Sequence, residues 1–170
     1  ADPARIALAG EGVGANLALS TALFARERGV RMPDHLLLIT PLAGTTLSGP
    51  SMDDSGRSLP LTRRTVGWAQ QRYTTDDRQL LDPRLDLAAL GVDPLRSGGE
   101  ALAARLSAAG VPTGLRLFPG TTHDFFGLGQ RVVEAAAAED YAAANLKADF
   151  DARAVRPARG RGPGRRAIRR

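Results

Sequence analysis

The chain has 170 residues, enough for one domain with a sizeable core, and an aromatic content of 5% leaves that core to Leu, Val, Ile and Ala. It holds no Cys and only two His, His35 and His123, which excludes disulfide and thiolate chemistry and argues against a zinc site built on several histidines. The net charge of +5 is unevenly spread: residues 151–170 carry eight Arg and one Asp, whereas residues 1–150 carry 15 basic and 17 acidic groups.

In chain order, Arg5–Ala9 reads as a buried strand, short, apolar and bounded by glycine. Ala15–Arg28 reads as a helix ended by Gly29, which suits the left-handed position after a last turn. Leu36–Thr40, "LLLIT", is a second fully apolar strand, as expected in a parallel sheet covered on both faces. Residues 42–58 are turn-rich and predict an excursion above the sheet. Leu61–Tyr73 predicts a helix with Thr62 near its start; Trp68 and Tyr73 sit at helical spacing and are expected to pack. Ser97–Ala109 predicts a helix, with Ser97 and Glu100 at capping-box spacing and Gly110 after the last turn. Leu115–Phe118 alternates as a strand and stops at Pro119-Gly120. "TTHDFFGLG" is a loop, and Arg131–Asp149 is an Ala-rich amphipathic helix. Alternating strands and helices predict an α/β fold with a parallel sheet.

Residues 1–150 are therefore expected to form the folded domain. Residues 151–170, rich in Arg, Gly and Pro with little to bury, are expected to form a disordered basic tail. Such a tail offers weak nonspecific attraction to nucleic acid or anionic membrane, although a solvated extension is the simpler reading of a chain whose only lysine is Lys147. No apolar run approaches the roughly 18 residues of a membrane span. No signal-like start is present either, so a cytoplasmic location is expected.

The stretch "RIALAGEGVGANLAL", Arg5 to Leu19, places a glycine knot between a strand and a helix. Gly10, Gly12 and Ala15 fit the G-x-G-x-x-A cradle for a dinucleotide, but that site also wants an acid about 20 positions on, at the end of the next strand. The next strand ends Leu38-Ile39-Thr40-Pro41 and has none; Asp34 lies before it, at the wrong end. Gly10 and Gly14 equally frame a G-x-S-x-G nucleophile elbow, with Gly12 where the serine belongs. An elbow hydrolase orders its triad as nucleophile, acid and histidine, each on a loop after a strand. Asp93 and His123 follow in that order, 30 positions apart. His35, outside any motif, reads as structural.

With these motifs in place the chain resembles the hormone-sensitive-lipase-like branch of the α/β-hydrolases, which includes many bacterial carboxylesterases and acetyl hydrolases. The family pattern "DPxRIAVxGDSAGGNLA" is matched by "DPARIALAGEGVGANLA", Asp2 to Ala18. "DPLRSGGEALAARLSAAGV", Asp93 to Val111, and "RLFPGTTHDFFGL", Arg116 to Leu128, match two further family motifs. The likeness runs from Asp2 to about residue 147. It implies a partial α/β-hydrolase fold: a reduced, mostly parallel sheet with flanking helices. It also implies small acyl esters as substrates, His123 as general base, Asp93 as its orienter and the Val13 N–H as an oxyanion donor, with no cofactor and no metal.

Four departures qualify that resemblance. Gly12 has no oxygen to activate, Glu11 beside it on the turn is expected to point elsewhere, and Ser20 lies more than two helical turns away, roughly 12 Å along the axis. The elbow holds its central residue in a strained geometry that glycine adopts freely, so the backbone shape is expected to survive the loss. The resemblance further implies an H-G-G-G oxyanion loop and several strands ahead of the elbow strand, and the sequence contains no such loop. The family's hydrophobic strand before "DPLR" is shortened here: either Leu87–Val92 serves as a stunted strand or the strand is lost, which puts the placement of Asp93 in question. Asp124 replaces the glycine that follows the histidine. The expectation is an esterase lineage without turnover, whose uncovered sheet edge invites self-association. A noncatalytic interaction module using the residual pocket or the basic tail is the alternative, and a dinucleotide-binding half-domain is the third.

Overall fold

A computed structural model describes residues 2–3, 5–45, 61–76, 78–79 and 96–154. Asp93, Leu87–Val92, most of the 42–58 excursion and residues 155–170 lie outside them. The described elements are strand β1 (Ala7–Glu11), helix α1 (Val13–Glu27), strand β2 (His35–Ile39) and helices α2 (Arg63–Tyr73), α3 (Arg96–Ala108) and α4 (Val133–Ala154).

β1 and β2 pair in parallel, from Ala7 opposite His35 to Glu11 opposite Ile39. The first strand therefore ends two residues later than its apolar run. Gly10 and Glu11 are drawn into it because β2 supplies partners up to Ile39. Parallel strands leave both faces of a sheet to be covered. On one face Leu36 and Leu38 of β2 pack with Leu19 and Leu23 of α1 and Leu102 and Leu106 of α3. The opposite face, which alternates with the first along each strand, meets α4: His35 Nδ1 and Asp149 Oδ2 are 2.7 Å apart. His35 is structural as expected, a tie between β2 and the last helix.

Local chemistry explains the helix ends. α1 closes with Gly29 N–H donating to Arg26 and Val30 N–H to the Ala25 carbonyl, the paired bonds of a Schellman turn. At α2, the Thr62 hydroxyl accepts from the Thr65 N–H at 3.1 Å while the Thr62 N–H donates to Thr65 Oγ1 at 2.8 Å, a reciprocal capping box. α3 begins at Arg96, one residue before the expected cap at Ser97. α4 buries a stripe of Ala135, Ala138 and Ala142, spaced for one helical face. It continues to Ala154, past the expected end at Asp149, and Lys147 pairs with Asp151 one turn on.

Two expectations fail. Leu115–Phe118 is not a strand: residues 111–118 join no sheet among the described residues, and Leu115 and Leu117 are 50% and 47% exposed. Alternation makes a strand only where a neighbouring strand accepts its backbone bonds. The stretch that would supply one in the resembled family, before "DPLR", falls outside the described residues. Trp68 does not pack inward either; it is 60% exposed, with the Arg72 guanidinium 5.8 Å over its ring. Val66 and Gln70, one turn apart, are the residues α2 buries, which puts Trp68 on the other side of the helix. Among the described residues no helix is long and apolar enough to cross a membrane.

Candidate active site

The glycine knot forms a tight corner between β1 and α1. A Cβ on Gly10 would lie 2.1 Å from the Gly14 carbonyl oxygen, so the first turn of α1 crosses β1 at a distance only glycine permits. Gly12 turns the chain with φ 55° and ψ −116°, a left-handed conformation costly to any residue with a Cβ. Its backbone groups are tied to the last residue of β2 and to the chain just beyond it. Its N–H donates to the Ile39 carbonyl and its carbonyl accepts from the Leu42 N–H, each at 3.0 Å. Asn16, buried in α1, donates from Nδ2 to the Leu42 carbonyl at 3.0 Å. The corner is thus held from two sides without any side chain at Gly12.

His123 lies against this corner although it is 111 positions away in sequence. A Cβ built on Gly12 would meet its imidazole, with Cε1 and Nε2 both at 3.3 Å and, chain neighbours aside, no other atom of the described residues within 4 Å. The ring is held by its loop, not by a helix. Phe118 and Phe125 flank the loop and stack with centroids 5.9 Å apart, and Phe125 is buried on Ala135 and Ala138 of α4. The Gly129 N–H donates to Glu139 Oε1 of α4 at 2.9 Å, which fastens the far end of the loop. Only 15% of the His123 side chain is exposed.

Two carboxylates complete the site. Asp124 Oδ1 is 3.5 Å from His123 Nε2, and Asp124 itself sits at φ 62°. Glu11, at the end of β1, faces the same group rather than pointing away from it. Burial raises its carboxyl above the ordinary value, the Asp124 charge adds to the rise, and the His123 imidazole opposes it. Glu11 Oε1 and Thr40 Oγ1 are both buried, and the Thr40 hydroxyl and the Asp124 N–H add smaller contributions that lower the Glu11 carboxyl. The expectation that Glu11 points elsewhere therefore fails; the available signal was its place in the elbow itself, one residue before the corner.

Val13 is the first residue of α1, and its N–H has no acceptor within the helix. Its side chain packs with Leu42 and Val66, and beside it a shallow cleft runs between Asn16, Leu42, Gln70 and Tyr73. Ser20 does not approach the corner; its hydroxyl bonds to Asn16 Oδ1 at 3.3 Å. Gly12, Val13 and His123 therefore come together, and Asp93 lies outside the described residues. Among the described residues no group of three or more His, Asp or Glu is arranged to hold a metal ion.

A strand–corner–helix with a histidine loop facing the corner is the architecture of an α/β-hydrolase. The sequence profile of the family described as alpha/beta hydrolase fold matches residues 1–127, and the chain belongs to that family. Among particular proteins it is similar to esterases. An ethyl acetate hydrolase of Pseudomonas putida is 32% identical over 149 residues, covering 79% of this chain and 47% of that protein. The carboxylic ester hydrolase LipN of Mycobacterium tuberculosis is 33% identical over 147 residues, covering 75% and 39% respectively. The crystal structure of an α/β-hydrolase enzyme from the metagenome of Lake Arreo, Spain, superposes with a TM-score of 0.79 at 30% identity, over 89% of this chain and 52% of that one. The chain thus spans about half or less of the length of these relatives.

Proposed function

We propose that the chain carries the site of a carboxylic ester hydrolase from which the chemistry has been removed with the nucleophile. The observation that carries this reading is the juxtaposition at Gly12: an elbow backbone at φ 55°, faced by the His123 ring, with no side-chain oxygen between them. Acyl transfer needs an oxygen that gives its proton to a base as it bonds to the ester carbonyl carbon. His123 supplies the base, Asp93 is assigned its orientation, and the Val13 N–H at the start of α1 is assigned to the developing oxyanion. The substrates to which these groups would answer are small acyl esters, the class named for the Pseudomonas relative. No cofactor or metal enters this chemistry. The test is hydrolysis of a short-chain chromogenic ester by the purified chain and by its His123→Ala variant. The expected result is the same non-saturating background for both; saturable turnover lost with His123 overturns the reading.

A second reading, association, is favoured by one feature of the sheet. Among the described residues β1 is hydrogen-bonded along one edge only, and a parallel strand left open invites another chain. Self-association through that edge is expected as a rise in mass with concentration in light scattering. A monodisperse monomer with a cooperative melt contradicts it. Anion binding by the Arg-rich segment 151–170 is a separate element of this reading, expected to vanish with added salt and with deletion of residues 155–170.

A further inference from the structure

We infer that Asp124 is a second lock on the site, a positioning residue that claims the very nitrogen of His123 that faces Gly12. The inference rests on the esterase reading of the corner and concerns how its histidine is set. Of the two ring nitrogens, Nε2 is the one at 3.3 Å from the side-chain position of Gly12. The same Nε2 lies 3.5 Å from Asp124 Oδ1. The pair is a charge contact rather than a hydrogen bond, and a carboxylate, which only accepts, favours a hydrogen on the imidazole nitrogen that faces it. A nitrogen that carries hydrogen cannot take a proton from an attacking oxygen. Asp124 therefore biases Nε2 toward carrying hydrogen where a hydrolase needs it to accept.

The backbone points the same way. Asp124 sits at φ 62°, in the region that glycine occupies without strain, and the resembled family has glycine there. The carboxylate is presented to His123 from a strained position on the loop, one residue from the ring it engages. Glu11 approaches the same group from the end of β1, and its carboxyl responds to both His123 and Asp124. Glu11 is unchanged in sequence in every Asp124 variant, so its charge is common to all of them.

Two measurements test this on the full chain. The first compares Gly12→Ser with Gly12→Ser/Asp124→Gly and Gly12→Ser/Asp124→Asn, following covalent capture of the new hydroxyl by a fluorophosphonate. In that step the serine oxygen bonds to phosphorus, fluoride leaves and the hydroxyl proton passes to His123. The expected result is labelling at least tenfold faster in the glycine double variant than in Gly12→Ser, with the asparagine variant, which keeps the shape and drops the charge, in between. Equal rates in all three overturn the inference. The second needs no serine: carbethoxylation of histidine by diethyl pyrocarbonate, located by mass spectrometry, with His35 as internal reference because Asp149 holds it elsewhere in the fold. Asp124→Gly and Asp124→Asn are both expected to react several-fold faster at His123 than the parent while His35 is unchanged. No difference at His123, or a change with Gly but not with Asn, overturns a charge-based lock. Absence of labelling in every serine variant, with the carbethoxylation difference intact, removes the esterase reading and leaves the Asp124–His123 relation standing.

Discussion

Two turns meet at the site, and both hold a residue in the left-handed region: Gly12 at φ 55° and Asp124 at φ 62°. The first is built for it. Gly12 has no side chain to strain, and its N–H and carbonyl are bonded to the last residue of β2 and to Leu42 just beyond it. The second is not. Asp124 is a side-chain-bearing residue at a glycine-like position, 68% exposed at its side chain, with its carboxylate beside His123. One turn carries no side chain and the other presents a carboxylate. The backbone of the corner and the side chains set on it are thus separable: the corner has its shape because main-chain bonds hold it, with no side chain at Gly12.

The largest effect that breaks this comparison comes from Gly10. Its Cβ would strike the Gly14 carbonyl at 2.1 Å, a backbone atom that cannot turn aside. Gly10→Ala is expected to cost about 3 kcal/mol or more, since relief requires moving α1 off β1. Chemical denaturation gives the measure, and a loss under about 1 kcal/mol would mean that the corner is more yielding than its geometry implies. Gly12→Ala comes next, at about 1–3 kcal/mol for its φ and ψ. Its Cβ meets only the edge of a loop-borne ring at 3.3 Å, so the contact adds little if His123 gives by a few tenths of an ångström. Finding Gly12→Ala costlier than Gly10→Ala would reverse this order and place the rigidity of the corner in the histidine loop.

How much of this was legible in the sequence follows from what each feature depends on. The corner is local. Gly10, Gly12 and Gly14 within five positions, between an apolar run and a helix, carry the strand–turn–helix by themselves. The approach of His123 to Gly12 spans 111 positions and was legible only because both sit in ordered motifs of one family. Where the deciding partner is distant and unmarked, the sequence misled. Leu115–Phe118 has a strand's alternation without a strand beside it among the described residues. Trp68 has helical spacing, yet α2 turns Val66 and Gln70 inward, so spacing alone did not choose the face. Glu11 could not be placed without knowing that β1 runs on to Ile39's level and delivers the carboxyl to the histidine loop.

A smaller change sharpens the other side of the comparison. Asp124→Gly removes the strain at φ 62° while giving the unfolded chain more freedom, so the net gain is expected to be at most about 1 kcal/mol. A rise of a few degrees in Tm accords with this; a fall would show that the carboxylate contributes more through His123 than its backbone costs.

The smallest effect, and the most diagnostic of the electrostatics, belongs to Glu11. Burial and then the Asp124 charge raise its carboxyl above the ordinary 4.5, so the folded state holds a proton that the unfolded state has released. Below the unfolded value both states are protonated and Glu11 has no pH-dependent effect. As pH rises from there through the folded value, ionisation costs the folded state more than the unfolded one, and stability falls. Glu11→Gln keeps the neutral form at every pH. It is therefore expected to be more favourable relative to the parent at pH 7 than at pH 4, read as the difference in Tm between the two chains at each pH. Adding Asp124→Gly to both should shrink that difference, because the second-largest cause of the rise is then gone. An unchanged difference would assign the shift to burial alone, and a difference of opposite sign would mean that His123, which pulls the other way, governs the pair.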